Sequence, residues 1–254
     1  IKSVNQYVYS DADIFFHNER WHCFDAHSDL SDISKASLLR RLNNGLERTH
    51  EQISNSTHVL ITLGTAWVYH HFSQKIIVSN CHKIEQSEFK KKLLTVNEVS
   101  ENLKNVISQL QSINGDIEVI FTISPVRHLK DGYVENQRSK AHLITAVHEI
   151  INQGNALYFP SYEIMMDELR DYRFYEADMV HPNQLAIDYI WEKFNATWIS
   201  ESAFKTMEKV GEIQKGLLHR PFDPDSERHK SFVKSLREKI TYLKERHSFI
   251  EFEQ

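Results

Sequence analysis

Hydrophobic positions along the chain switch period several times, and each switch predicts an element. From about residue 33 onward, Leu38, Leu39, Leu42, Leu46 and Ile53 recur at helical spacing within ISKASLLRRLNNGLERTHEQIS. Asp32 or Ser34 stands where a helix cap belongs. THVLITLG follows, a short β-branched run closed by Gly64, which is how a buried parallel strand reads. TAWVYHH and KIIVSN predict a small excursion or hairpin. Helical spacing returns over 96–113 through Val99, Leu103, Val106, Ile107 and Leu110. IEVIFTI is a second buried strand, closed by Ser124 and Pro125. NQRSKAHLITAVHEIINQG predicts a helix with Gly154 as its C-terminal cap. ALYF is a third strand, stopped by Pro160. SYEIMMDELR is a short helix, and NQLAIDYIWEKFNATWI is another.

Alternation of helix and strand predicts an α/β fold: a parallel sheet with helices on both faces. Such sheets place ligands at the carboxyl ends of their strands. The loops after Gly64, Ile123 and Phe159 are therefore where chemistry belongs. The first 34 residues show neither period and predict loop with short extended pieces. Residues 203–254 are charged and helical in pattern, with a break at HRPFDPDSE. The chain divides into an α/β domain over 1–200 and a C-terminal helical extension over 201–254.

Composition narrows the function classes. The 254 residues are 41% hydrophobic, enough for one large core plus an appendage. Seven glycines and five prolines are too few for disorder or a turn-crowded all-β fold. The net charge of -5, without a basic stripe, argues against nucleic acid as a partner. No run of about 18 apolar residues predicts a membrane span. Two cysteines, Cys23 and Cys81, make no disulfide framework; they fit a reducing compartment, with the cytoplasm as the expectation, or a periplasmic one in which they stay unpaired. The chain opens on Ile1 with no visible signal peptide.

Four constellations carry candidate chemistry. In DMVHP, Asp178 lies three residues before His181; an acid so placed can bond Nδ1 of the imidazole and leave Nε2 as a base. The plain alternative is a turn residue and a loop residue. Gly64, opening TLGTAWVY, lets the backbone approach a ligand, and Asn80 offers a side-chain N–H to the same oxyanion; the alternative is a tight turn. Arg127 and His128 follow a buried strand, where arginine suits a carboxylate or phosphate; the alternative is a surface ion pair. His22, Cys23, Asp25, His27, Cys81 and His82 are zinc-type ligands, but their spacing matches no standard site, and fifteen histidines make chance neighbours common. Neither a metal nor a cofactor is expected.

ITLGTAWVY, NCHK, SPVRHLKDG, ENQRSKA and YFPSYEIMMDELRDYRFYEADMVHP together resemble the GSCFA domain family, from about Phe15 to about Ser231. That family is named for a Gly-Ser-Cys-Phe-Ala stretch and belongs with the SGNH (GDSL-like) hydrolases. The resemblance implies a flavodoxin-like three-layer fold, with Asp178 and His181 as the final catalytic block. It places Gly64 and Thr65 at the block where the wider superfamily has Gly-x-Asn-Asp; here the run is Gly64-Thr65-Ala66-Trp67, and Asn80 is the substitute donor. No GSCFA or GDS occurs in the 254 residues. The expectation is that the nucleophilic serine lies about 50–60 residues upstream of this chain, with the first strand of the sheet. Ser3 and Ser10 follow no buried strand with a glycine-tight turn and are poor replacements.

The resemblance implies a serine ester hydrolase or acyltransferase acting on a small-molecule or polysaccharide acyl ester, with O-acylated carbohydrate as the expected substrate class. A non-catalytic binding module of the same fold and a metal-assisted hydrolase are the alternatives. A sheet without its first strand exposes an edge, which predicts poor solubility or homo-oligomers and an inactive fragment.

Overall fold

The computed structural model describes residues 1–252. Two strands, β1 (Ile14–His17) and β2 (Arg20–Cys23), form an antiparallel hairpin and are the short extended pieces expected within the first 34 residues. Its two-residue turn, Asn18 and Glu19, has φ of 45° and 62°, the geometry that suits the twist of a tight hairpin. Next come α1 (Lys35–Asn55) and β3 (His58–Leu63), then β4 (Trp67–His71), β5 (Ile76–Val78) and β6 (Phe89–Leu93). They are followed by α2 (Val96–Ile113), β7 (Glu118–Ile123), α3 (Tyr133–Ile151) and β8 (Leu157–Phe159). The chain ends through α4 (Ser161–Glu163), which runs into a π turn at Ile164–Glu168, and then α5 (Gln184–Trp198), α6 (Glu201–Leu217) and α7 (Glu227–Arg246).

Local chemistry explains the boundaries. The Ser34 hydroxyl accepts from the Ser37 N–H and caps α1. Thr95 and Glu98 form a reciprocal capping box at the start of α2. Gly154 is not the residue that caps α3. Asn152 does so in right-handed conformation, and the left-handed residue that turns the chain, Gly154 at φ 75°, comes two positions later.

The chain forms two compact units, Ile1–Ile190 and Trp191–Gln254, divided inside α5. In the first, a parallel sheet in the order β3-β7-β8 is flanked by helices. α2 contributes Val99, Leu103, Ile107 and Leu110 and α3 contributes Leu143, Ala146, Val147 and Ile150 to one core with Val119, Phe121 and Ile123 of β7. The central strand β7 is buried at every position from Val119 to Ile123. The run VLITL predicts the same for β3, and here the structure differs. Alternate residues of β3 are exposed, Leu60 to 49%, because they point to the face of this edge strand turned away from the core. Val59, Ile61 and Leu63 still pack on the core.

The excursion after β3 is a three-stranded antiparallel sheet in the order β5-β4-β6. Its third strand, FKKKL, gives no apolar signal. Lys90 and Lys92 face solvent, while the Lys91 ammonium lies over the Trp67 and Tyr69 rings, 4.8 and 5.5 Å from their centres.

The second unit is helical, with Ile213, Leu236 and Leu243 as its buried centre. Gly216 lets α6 and α7 approach closely: a β-carbon there would lie 2.7 Å from Leu236 Cδ1. The HRPFDPDSE stretch separates these two helices, and Ser226 caps the second. No helix among the described residues is long and apolar enough to cross a membrane.

Candidate active site

The segment around DMVHP is held from both sides. Glu176 N–H donates to His181 O at 2.8 Å, and Met179 N–H to Glu176 O at 2.9 Å. Met179 sits at φ 59°, in the left-handed region that long side chains rarely occupy. That turn brings Asp178 back onto the following backbone. Its Oδ1 accepts from the N–H groups of Val180 (2.8 Å) and His181 (3.0 Å). Its Oδ2 lies 2.6 Å from His181 Nδ1. A carboxylate only accepts, so Nδ1 carries the proton and Nε2 is left with its lone pair. The bond to His181, reinforced by the two backbone bonds, holds the Asp178 carboxyl down at about 2. Both side chains are about half exposed, so the pair faces solvent and any incoming group.

Arg127 braces this segment. Its N–H reaches Val180 O at 3.3 Å and its guanidinium reaches Met179 O at 3.3 Å. The guanidinium lies 4.1 Å from the Tyr175 ring centre and 5.4 Å from that of Tyr172. His128 packs against the end of β3, where a β-carbon on Gly64 would lie 3.3 Å from His128 Nε2. Burial, with Lys140 and His181 nearby, pushes the His128 imidazole below its ordinary value. The strand ends thus bring together Asp178, His181, Arg127, His128 and Gly64.

Thr65 and Asn80 are placed differently. The Thr65 hydroxyl is 2.9 Å from Ser139 Oγ and accepts from the Trp67 N–H at 3.1 Å, so it braces the turn after β3. Asn80 belongs to the antiparallel excursion. Its Oδ1 accepts from the His82 N–H at 2.8 Å and its own N–H donates to Phe24 O. No hydrogen bond among the described residues links it to Gly64 or to the Asp178–His181 pair.

Three residues that the sequence reading passed over hold the site together, all from α3. Asn136, Ser139 and Lys140 are buried on the face that continues as Leu143, Val147 and Ile150. Asn136 Oδ1 accepts from the His128 N–H at 2.9 Å. Ser139 Oγ accepts from the Ala66 N–H at 2.7 Å. Lys140 Nζ donates to Gly64 O at 2.7 Å and Ser124 O at 2.6 Å, tying together the segments that follow β3 and β7. The available signal was polar residues at core spacing in ENQRSKA, a helix face that ought to be apolar at its sheet-facing positions.

Lys140 is only 1% exposed and has no carboxylate partner among the described residues, and burial lowers its amine to about 8. The folded value is below the unfolded one, so the cost of charging it is present at neutral pH and relieved as pH rises. Between about pH 8 and 10.5 the unfolded chain binds a proton that the folded chain has released, and stability rises by up to roughly 3 kcal/mol. Urea unfolding of the wild type and Lys140→Met, compared from pH 7 to 10, should show the wild type gaining on the variant across that window. Parallel pH dependences would refute a buried, uncompensated ammonium.

The histidine- and cysteine-rich segments are engaged in packing. His22 and His82 rings lie 4.7 Å apart beside Phe15 and Phe24. His22 bonds Ser31 Oγ and His17 O, His82 Nε2 bonds Cys23 O, and Asp25 pairs with Lys2 at 2.6 Å. His27 caps a short turn through the Asp29 N–H, and Cys81 is a free, partly buried thiol. Among the described residues no group of three His, Cys, Asp or Glu side chains is arranged to hold a metal ion.

The GSCFA family model matches residues 1–194, and a model described as the C-terminal domain of GSCFA domain proteins matches residues 210–254. No curated protein and no solved structure matches the chain.

Proposed function

Since the chain belongs to the GSCFA family, we propose that it carries the acid–base part of a serine ester hydrolase or acyltransferase site. The observation that carries this reading is the 2.6 Å Asp178–His181 contact, with the carboxylate fixed by two backbone N–H groups and the imidazole open at Nε2. The nucleophile in this reading is the serine of the family's Gly-Ser-Cys-Phe-Ala block. Nε2 takes the serine proton as the hydroxyl attacks an acyl carbonyl, then returns it to the departing alcohol. Asp178 stabilises the imidazolium that forms between the two steps. In this reading the Gly64 backbone and the neighbouring His128, whose imidazole is pushed below its ordinary value by burial, are the groups assigned to the oxyanion. The β3-β7-β8 parallel order is compatible with the flavodoxin-like arrangement of SGNH hydrolases, and O-acylated carbohydrate is the substrate class proposed with it.

Asp178→Asn tests the reading in protein that includes the Gly-Ser-Cys-Phe-Ala block. The amide keeps the shape but can present an N–H to Nδ1 and favour the wrong tautomer. Turnover of aryl acetates at neutral pH should fall by about 10²–10⁴-fold. A variant as active as the parent would remove the dyad from the mechanism.

A further inference from the structure

We propose that the cavity of about 200 Å³ between the segment after β7 and the start of α3 is a subsite for an oxyanion group, a carboxylate or a phosphate. Arg127, Asn136, Gln137, Lys140, Tyr162 and Tyr172 supply its polar lining, and no aspartate or glutamate lines it. Lys140 has three N–H donors and gives two of them to Gly64 O and Ser124 O. Arg127 gives one N–H to Met179 O and stacks its plane on Tyr175, with further donors remaining. Neither cation has a carboxylate partner among the described residues. The side-chain oxygen of Asn136 is occupied by the His128 N–H, and that of Gln137 by the Tyr162 hydroxyl. Their NH2 groups are the parts left to offer.

The cavity therefore presents positive charge and N–H donors without a carboxylate to answer them. A group that only accepts hydrogen bonds and carries negative charge satisfies such a wall. A neutral polyol brings donors that meet no anionic acceptor. An ammonium buried to this depth is also costly unless a charge compensates it, and a bound anion would do so. The volume suits one small group rather than an extended ligand. Arg127 bonds the carbonyl two residues before His181, so the subsite adjoins the dyad. Assigning the anion to the substrate rests on the ester reading; the existence of the subsite does not.

The test reads binding to the chain itself, without turnover, so it stands apart from the ester chemistry. Thermal unfolding and calorimetry would follow titration with galacturonate and with glucose 6-phosphate. Galactose, glucose and sodium chloride at matched ionic strength are the controls. A saturable rise in unfolding temperature with an anionic sugar, and none with the controls, is expected. Galacturonate alone would identify a carboxylate subsite, and glucose 6-phosphate alone a phosphate subsite. Arg127→Gln should weaken binding by about tenfold or more, and Lys140→Met, which keeps the volume, should do the same if the first variant fails to fold. No saturable response to either anion, an equal response to the neutral sugars, or unchanged affinity in a folded variant would overturn the subsite.

Discussion

His181→Ala should lower kcat/KM for aryl or sugar acetates by about 10⁴-fold or more, in protein that includes the Gly-Ser-Cys-Phe-Ala block. The size follows from the division of labour in such a site. Without Nε2, nothing accepts the serine proton during attack, and nothing protonates the leaving alcohol. The fold has little stake in the imidazole. Its side chain is 58% exposed, and its ring contact is with Asp178, itself 49% exposed. The backbone N–H that Asp178 accepts survives the substitution. Stability should therefore change by no more than about 0.5 kcal/mol, as for other surface positions, and the loss of rate can be read as chemistry. Added imidazole should restore part of the activity. Undiminished turnover would sink the mechanism, and a large loss of stability would show that His181 has a structural role.

Phe121→Ala should cost about 3–5 kcal/mol of stability in the first unit. Phe121 is fully buried at the middle of the central strand, opposite Ile61 of β3 and Tyr158 of β8. Its ring belongs to the core that α2 and α3 close. Alanine leaves a cavity between layers that are anchored on both sides and cannot collapse fully into it. Leu60 is the control. It lies in the adjacent strand, opposite Ile120, yet is 49% exposed. Leu60→Ala should cost under about 1 kcal/mol. Urea midpoints at constant m value would measure both. Equal losses at the two positions would mean that the sheet face has been misassigned.

The contrast between these two residues shows where reading a sequence stops. IEVIFTI and HVLITL are similar apolar runs, and each predicts a strand. Burial is not a property of either run. It depends on which sheet face a residue points to and on what covers that face: Phe121 and its β3 partner Ile61 meet the core of α2 and α3, while Leu60 points the other way on an edge strand. The strand FKKKL is the converse case, because its inward lysine is accommodated by two aromatic rings that come from β4. Lys140 makes the same point at the site. A lysine in a helix normally reads as a solvated position, and only the approach of two strand-end carbonyls keeps this one inside. Asn80 lies sixteen positions beyond Gly64 in sequence, but the antiparallel excursion commits its side chain to the turn at His82.

What the sequence determined by itself was everything governed by short range. The helix start at Asp32 or Ser34 and the alternation of strand with helix depend on neighbours a few residues apart. The Asp178–His181 pair was legible as a candidate from its three-residue spacing, while its closed geometry needed the left-handed Met179 and the brace from Arg127. Tertiary structure alone decided which strand is central. It also decided that α3 turns Asn136, Ser139 and Lys140 onto the loops, and that Arg127 and Lys140 share a cavity beside the dyad. The physical reason is that burial and charge compensation are set by what the rest of the chain brings alongside, and no local pattern records that.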